Sequence, residues 1–270
     1  MKKFKLFLMI MALVLSISLV ATACGTNATT TAGTTTGTTA GTTSGTTAGT
    51  TGGTTSGTTA GPKLADKQEI TFNMSQEPPQ LNTALTTDTV SFDIIRHTYE
   101  GLTKRDNKDA IVPGMAESWT VSPDGLTYTF KLRDAKWSNG DAVTAADFAF
   151  GFKVLLSADT KPQPAEYAYF AFPIKNAEKF NGGEAKFEEV GIKVTDPKTL
   201  EITLERPTGY FLDLLAFGVM MPINEKFYNE VGGENYGMEA DKMIYNGAFV
   251  VDSWDHDIEL VMTKNANYYG

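Results

Sequence analysis

The sequence is poor in the residues from which catalytic sites and disulfide-stapled folds are commonly built. It has one cysteine and two histidines among 270 residues. A single cysteine excludes an internal disulfide and any site made of several thiolates. His97 and His256 stand apart, and the HExxH, GxSxG and GxxxxGK[ST] patterns do not occur. We therefore expect no enzyme activity and no cofactor, and we interpret His97, within a predicted helix, as a surface or packing residue.

Positive charge is also scarce. The chain has 23 lysines and arginines against 32 acidic residues, for a formal net charge of -9. Lys2, Lys3 and Lys5 supply +3 of this within the first 24 residues, so the remainder carries -12. An acidic surface of this kind argues against a nucleic-acid partner and offers no polybasic patch for a membrane surface.

The N-terminus has the pattern of a secretory signal. The lysines precede an apolar run over residues 6–20, and Ala21, Thr22 and Ala23 lead to the sole cysteine, Cys24. This ending resembles the lipobox of bacterial lipoproteins, with alanine at position 21 where leucine is commoner. We predict a lipoprotein signal over residues 1–23, and a lipid on Cys24 that anchors the protein extracytoplasmically to the bacterial cell membrane. The alternatives are an ordinary cleaved signal and an uncleaved membrane anchor.

Residues 24–62 form a segment rich in threonine and glycine. From position 25 onward it has no charged residue and no large apolar side chain. Burial in such a segment could not offset the entropy lost on ordering its backbone. We predict a disordered, lipid-anchored tether with a span of roughly 35 Å. A glycosylated or wall-penetrating stalk is the alternative.

Folded structure is expected from Lys63 onward. Apolar residues alternate with polar ones over residues 70–74, which predicts a short strand. A helix is expected next, with Asp88 or Thr89 as its cap. Its apolar face is formed by Phe92, Ile95, Tyr99 and Leu102.

Residues 126–156 predict a strand, a turn and a helix in succession. Leu126, Tyr128, Phe130 and Leu132 alternate with polar residues, and Trp137 is expected to anchor the strand's exit before a turn at residues 138–141. Thr144 is placed to cap the helix, with Asp147 three residues on as in a capping box. The expected core face of that helix is Phe148, Phe152 and Leu155.

Two further hairpins and two helices complete the predicted elements. Alternation predicts one hairpin from residues 190–194 and 200–204, and another from residues 248–251 and 258–262. A helix after Thr208 is expected to turn four residues inward: Tyr210, Phe211, Leu214 and Leu215. The second helix is expected over residues 224–231, ending at Gly232-Gly233. This irregular alternation predicts mixed α/β lobes.

One acidic cluster lies at the predicted tip of the last hairpin. It consists of Asp252, Asp255, His256 and Asp257. Clustered carboxylates suit hard cations. Aspartate is also common in turns, because its side chain bonds the local backbone. We favour the turn, and we expect no metal site.

The stretch AESWTVSPDGLTYTFKLRDAKWSNGDAVTAADFAFGF resembles the signature region of extracytoplasmic oligopeptide-binding proteins of ATP-binding-cassette importers (solute-binding protein family 5). The motifs YEGL at residues 99–102 and YNGAF at residues 245–249 extend the resemblance, which runs from Lys63 to residue 270. It implies an α/β fold of the periplasmic-binding-protein-like type II class, in its large peptide-binding cluster. Residues 63–100 and 222–270 would form a mixed-sheet ligand-binding lobe, and residues 101–221 an inserted accessory lobe.

Members of this family run to about twice this length, and residues 265–270 resemble the segment that precedes their opposing ligand lobe. The resemblance therefore implies a truncated reading frame or fragment that lacks the second lobe and the returning C-terminal segment. Such a chain is expected to bind peptide weakly or not at all.

The resemblance also implies ligand-facing residues. The loop before the first helix contributes main-chain bonds in the family, and a tyrosine beyond the central helix lies against the peptide. Some members carry a glutamate near position 87 that meets the peptide amino terminus, and threonine leaves that role unfilled. Simpler interpretations are that Asp88 only caps the helix, that the tyrosines only pack, and that Asn246-Gly247 only forms a turn. The implied peptide-binding residues are Thr87, Asp88, Thr89, Tyr167 or Tyr169, Tyr245, Asn246 and Gly247.

The function implied is capture of oligopeptides and their delivery to an ATP-binding-cassette permease. The expected partners are an oligopeptide, the permease subunits and the membrane through the lipid anchor, and the protein is expected to be a monomer. Within binding proteins, the alternatives are a nickel chelate or a cell-wall peptide as ligand. From a different class, the alternative is a surface lipoprotein that serves adhesion or signalling.

Overall fold

A computed structural model describes residues 66–270. The folded body discussed below is the unit Gln68–Gly270. The predictions of a signal peptide, of a lipid on Cys24 and of a tether lie outside the described residues.

The elements follow in an irregular order of short strands and helices. The helices are α1 (Thr89–Thr98), α2 (Ala145–Leu156), α3 (Ala177–Asn181), α4 (Phe211–Leu214) and α5 (Glu225–Val231), with 3₁₀ turns at Glu166–Ala171, Phe187–Glu189, Gly218–Met220 and Ala240–Lys242. The strands are β1 (Thr103–Arg105), β2 (Ile111–Pro113), β3 (Ala116–Val121), β4 (Thr127–Leu132), β5 (Ile192–Asp196), β6 (Thr199–Thr203), β7 (Phe249–Asp255) and β8 (Glu259–Lys264). The predicted mixed α/β fold is confirmed.

A four-stranded antiparallel sheet forms the centre, in the order β3-β4-β6-β5. Phe130 of β4 stands opposite Leu200 of β6, and Tyr128 opposite Ile202, so large apolar side chains of adjacent strands meet on one buried face. Helix α2 packs against β5 and β6. Two separate hairpins, β1-β2 and β7-β8, complete the strand pairs.

The predicted strand, turn and helix of residues 126–156 are confirmed. Trp137 is fully buried and closes a turn, accepting a bond at its carbonyl from the Gly140 amide at 2.8 Å. Gly140 has a φ of +94°, a conformation that costs glycine little. At the start of α2, the Thr144 amide and hydroxyl donate to one Asp147 carboxylate oxygen, at 2.7 and 3.0 Å. These bonds satisfy polar groups at a helix end that is packed into the core.

Helix α1 forms where predicted, but it ends at Thr98, so Tyr99 and Leu102 of the predicted face lie beyond the helix. The Asp88 carboxylate accepts from the Ser91 amide at 2.8 Å, and the chain leaves the helix at Tyr99 with an extended backbone. The expected apolar face is buried in full: Phe92, Ile95, Tyr99 and Leu102. The predicted helix over residues 224–231 is confirmed as α5, with Asn224 as its cap and Gly232 at a φ of +81° just beyond it.

Two local predictions were wrong. Residues 70–74 form no strand, and Ile70 and Phe72 are 88% and 60% exposed, because no strand of the described residues pairs with them. Tyr210 points outward, since α4 is a single turn that buries only Phe211. The predicted hairpin over residues 190–204 is formed by β5 and β6, and Val194 of the edge strand β5 is exposed.

The second predicted hairpin is longer than expected, because β7 runs on through Trp254 to Asp255. Asp257, at a φ of +62°, then forms the turn, which is closed by a bond from the Ile258 amide to the Asp255 carbonyl at 3.0 Å. Of the acidic cluster, His256 and Asp257 lie in this turn, whereas Asp252 and Asp255 belong to β7. The lobe boundaries at residues 100–101 and 221–222 stay predictions.

Candidate ligand-binding surface

The loop that leads into α1 places its predicted site residues at the surface. Thr87 and Thr89 are exposed, and Asp88 is half-buried between them. One Asp88 carboxylate oxygen caps α1, which confirms the capping interpretation, whereas the other is buried without a hydrogen-bond partner in the described structure. A further role for Asp88 in ligand contact stays a prediction.

An aromatic cluster supports this loop from the side. We use the name for four residues: Phe92, Tyr167, Phe170 and Phe217. Tyr167 stacks parallel to Phe92 at 6.4 Å between ring centroids, and both rings contact Phe217. The Tyr167 hydroxyl donates to the Thr87 carbonyl at 3.3 Å. The structure thus joins two predicted site regions that are 80 residues apart in the sequence.

Tyr167 and Tyr169 differ in how much of each side chain is exposed to a ligand. Tyr167 is half-buried, and its hydroxyl donates a hydrogen bond to the Thr87 carbonyl. Tyr169 is 51% exposed and stacks on Phe170 at 4.5 Å. Tyr167 therefore positions the loop, and Tyr169 is the better candidate for direct contact with a ligand.

The third predicted group, Tyr245, Asn246 and Gly247, is buried. Asn246 is 1% exposed, and its amide accepts from the Glu100 backbone N–H at 3.0 Å and donates to the Glu100 carbonyl at 2.8 Å. The Gly247 amide donates to the Thr98 carbonyl at 2.9 Å. A ligand contact by the Asn246 side chain stays a prediction, and it would require these two buried bonds to break.

Tyr245 belongs to the core. Its backbone N–H and carbonyl both bond Ser138, at 3.1 and 2.7 Å, and its ring tilts against Tyr99 at 5.7 Å. Burial, followed by the charge of nearby Tyr236, raises the pKa of the Tyr245 phenol far above its ordinary value. The hydroxyl stays protonated and packed, as expected of a structural tyrosine.

The predicted residues therefore fall into two groups at opposite ends of α1. Residues 87–89 and Tyr167 surround its N-terminal end, and residues 245–247 close its C-terminal end. Ten helical residues span about 15 Å at 1.5 Å per residue, so the two groups do not share one small pocket.

A cavity of about 260 Å³ lies beside α1. Thr89 lines it together with Asp93 and His97 of the helix and Met262 of β8. The other wall is formed by residues 72–75, which belong to no helix or strand. His97 is exposed and sets its ring edge-on against Phe249, so its interpretation as a surface residue is confirmed.

Two charged clusters were missed by the sequence reasoning. In the first, Glu100 binds Tyr268 and Tyr269 from the end of the chain. In the second, the Glu77 carboxylate accepts from Trp254 Nε1 at 2.7 Å and lies 2.7 Å from His256 Nδ1. Both join residues more than 160 positions apart, so no local pattern signals them.

The second cluster shifts the titration of its members. Burial acts to raise the pKa of Glu77, but bonds from His256, Trp254 and the Asp257 amide outweigh it and lower that pKa. The bond to Glu77, supported by Glu239, raises the pKa of His256. Within residues 66–270, no group of three or more histidine, cysteine or acidic side chains could hold a metal ion.

The matched family model is described as bacterial extracellular solute-binding proteins, family 5 Middle, and it covers residues 110–270. The chain therefore belongs to family 5 of the bacterial extracellular solute-binding proteins. In the part of the chain that the structure describes, no helix is long and apolar enough to cross a membrane.

Curated relatives agree with this assignment. The chain is 40% identical to the oligopeptide-binding protein OppA of Bacillus subtilis over 206 residues, which are 75% of this chain and 37% of that protein. It is 34% identical to the dipeptide-binding protein DppE of the same species, covering 77% of this chain and 37% of the relative. The chain thus spans less than half the length of the curated relatives that it matches.

Solved structures match the fold over the same part. A substrate-binding domain of an oligopeptide ABC transporter from Bacillus anthracis superimposes with a TM-score of 0.74 and 47% identity, over 77% of this chain and 40% of that one. Listeria monocytogenes OppA bound to peptide matches with a TM-score of 0.68 and 37% identity, over 71% and 37% of the two chains. The predicted oligopeptide-binding type of fold is confirmed.

Proposed function

We propose that this protein is the substrate-binding component of an ATP-binding-cassette importer that captures oligopeptides outside the cytoplasmic membrane. The observation that carries the proposal is the match to proteins solved with peptides, namely Listeria monocytogenes OppA and Haemophilus influenzae OppA with RPPGFSPFR. The identities of 37% and 30% span 71% and 77% of this chain. A protein that only binds and delivers its ligand needs no catalytic group.

The surface around the N-terminal end of α1 supports an extended ligand. Thr87 and Thr89 are exposed, and Tyr167, which bonds the Thr87 carbonyl, has its ring 5.9 Å from the ring of the 51% exposed Tyr169. Backbone and aromatic contacts are therefore available within one region. An extended peptide presents regularly spaced N–H and C=O groups that such a backbone segment can pair with. Side-chain contacts would then add little sequence selectivity.

The direct test is the peptide-induced change in amide chemical shifts of this chain. Nuclear magnetic resonance detects weak complexes as well as tight ones, and it reports on each amide separately. We expect a mixture of short peptides to shift the amides of Thr87, Thr89 and Tyr169 and to leave those of the central sheet unchanged. Tyr169→Ala should reduce these shifts, whereas Tyr210→Ala, at another exposed tyrosine, should not.

A cell-wall peptide is the second candidate ligand. The chain is 33% identical to the periplasmic murein peptide-binding protein MppA of Escherichia coli, over 76% of this chain and 38% of the relative. The same titration with a murein tripeptide separates the two ligands. Shifts at residues 87–89 with the murein tripeptide, and none with ordinary peptides, would replace the oligopeptide proposal.

Anchoring to the membrane and delivery to permease subunits are part of the proposal. The sole cysteine follows an apolar signal and small residues, which is the arrangement that lipidation requires. Cys24→Ala should move the protein from the membrane fraction to the soluble extracytoplasmic fraction. An unchanged membrane fraction would exclude the lipid anchor and leave the ligand proposal untouched.

A further inference from the structure

Residues 265–270 are held against the rest of the folded body by several hydrogen bonds. The Asn265 side chain donates to the Gly247 carbonyl at 2.9 Å, and the Asn265 backbone N–H donates to the Ala248 carbonyl at 2.9 Å. Asn267 donates from its side chain to the Ser138 carbonyl at 3.0 Å. This segment therefore has a defined place beside the C-terminal end of α1.

The Glu100 carboxylate is the centre of this attachment. Glu100 is only 7% exposed, yet its two oxygens accept four bonds. Tyr268 donates its hydroxyl at 2.7 Å, and Tyr269 donates its hydroxyl to the other oxygen. Lys104 places its ammonium nitrogen 3.2 and 3.3 Å from the two oxygens.

The Tyr269 ring is fixed on its face as well as at its hydroxyl. The Arg133 guanidinium carbon lies 4.3 Å from the ring centroid, within range of a cation–π contact. Arg133 is itself held by a bond from Nε to the Gly114 carbonyl at 2.7 Å. The ring is thus bound between β4's exit and the turn that joins β2 to β3.

The backbone of Glu100 is fixed from the opposite side. The Asn246 amide bonds both its N–H and its carbonyl, so main chain and side chain of one residue are held by different segments. A buried carboxylate is costly unless its oxygens are paired. The tyrosine hydroxyls supply two of these partners, and removing them would leave an under-satisfied buried charge.

We propose that Glu100 is a positioning residue that fixes residues 265–270 against the C-terminal end of α1. The opposite end of this helix carries the loop of residues 87–89. One rigid helix then sets the place of both the candidate ligand loop and the segment that follows β8. The attachment itself rests on the contacts above, and only its service to ligand binding rests on the proposed function.

The test is amide hydrogen exchange in the full 270-residue chain with Glu100→Gln. Glutamine keeps the shape but removes the charge that binds the two hydroxyls. We expect the amides of Asn265 and Tyr268, which are hydrogen-bonded in the structure, to exchange about tenfold faster or more. Exchange in β4 should stay slow. Glu117→Gln, at an exposed position of β3, is the matched control and should change neither region.

Tyr268→Phe and Tyr269→Phe keep the proposal testable if Glu100→Gln does not fold. Each removes one hydroxyl and leaves the ring, and each should speed exchange over residues 265–270, with the double variant having the larger effect. Tyr210→Phe is the control at an exposed ring. Unchanged exchange in the double variant would overturn the proposal. Because no peptide is present, this outcome is independent of any failure of the ligand titration.

Discussion

The two ends of α1 use similar residues in opposite ways. At the N-terminal end, Thr87 and Thr89 are exposed, and a polar side chain there can exchange water for a ligand at little cost. At the C-terminal end, Asn246 is buried, and its side-chain oxygen and nitrogen both hydrogen-bond the backbone of Glu100. The polar residues at the N-terminal end of α1 are thus open to solvent, whereas the polar residue at its C-terminal end is part of the core.

The two ends therefore differ in the burial of their polar groups and not in the type of residue. A buried amide must keep its partners, because an unpaired donor or acceptor costs about 1–3 kcal/mol. It cannot also serve a ligand without losing that stability. The motif YNGAF at residues 245–249 therefore identifies the fold, whereas the less distinctive loop at residues 87–89 is the better ligand candidate.

The largest effect is expected at the closed end, from Gly247→Ala. A Cβ atom there would lie 2.5 Å from the Thr98 carbonyl carbon and 2.7 Å from its oxygen, and both are backbone atoms. The backbone has to shift, so the free energy of unfolding should fall by about 3 kcal/mol, measured by urea denaturation. Gly209→Ala, where nothing lies within 4 Å, is the control and should be nearly neutral. If the two variants were equally stable, the C-terminal end of α1 would not be the tightly packed end that we describe.

Asn246→Ala should have the next largest effect. It removes both bonds to Glu100 and leaves a buried N–H and a buried carbonyl unpaired, which should cost about 2 kcal/mol. Asn229→Ala, on the exposed face of α5, removes an amide that is already in solvent. If Asn246→Ala instead abolished peptide-induced shifts while stability stayed unchanged, its side chain would be a ligand contact and the closed end would have been misassigned.

At the open end, Asp88→Ala should cost less, about 1 kcal/mol, because it removes one helix cap. Asp88→Asn keeps an oxygen that can accept from the Ser91 amide, so it should recover most of that loss. Thermal unfolding followed by circular dichroism measures both. The pair separates capping from ligand binding, because peptide-induced shifts that vanish in Asp88→Asn with stability retained would assign the second carboxylate oxygen to the ligand.

Much of the fold could be predicted because its determinants are local. The strand over Thr127–Leu132, its turn and the capped helix α2 lie within about thirty residues, and each carries its own periodicity or cap. The segment at residues 70–74 shows the limit of this reasoning. Alternation describes one strand only, whereas a strand also needs a partner, and none pairs with it among residues 66–270.

The candidate site could be predicted only in part. Thr87 and Tyr167 were expected through family resemblance, and the structure joins them by a hydrogen bond. The roles of Asn246 and Glu100 were not foreseen, because their bonds connect residues 146 positions apart. Contacts at that separation depend on how the finished elements pack, and no pattern within a short window records them.

The smallest expected effect concerns the chain that leads to the open end. Glu77 precedes that loop, and its carboxylate lies 2.7 Å from His256 Nδ1. The Glu239 carboxylate lies 3.4 Å from His256 Nε2. The raised pKa of His256 means that its contribution is complete below its ordinary value of 6.5 and is lost as pH rises through the folded-state pKa. The lowered pKa of Glu77 means that its contribution is present above 4.5 and is lost as pH falls through the folded-state pKa.

The ion pair between Glu77 and His256 should therefore be strongest between pH 4.5 and 6.5, where Glu77 is ionised and His256 is protonated. Raising the pH to about 9 should increase the mobility of residues 77–88 while α1 stays ordered, and backbone relaxation measured by nuclear magnetic resonance would record it. His256→Gln cannot titrate, so its loop should show the same mobility at both pH values. If the wild-type loop were equally mobile across this range, the geometry of the open end would not depend on the contact between His256 and Glu77.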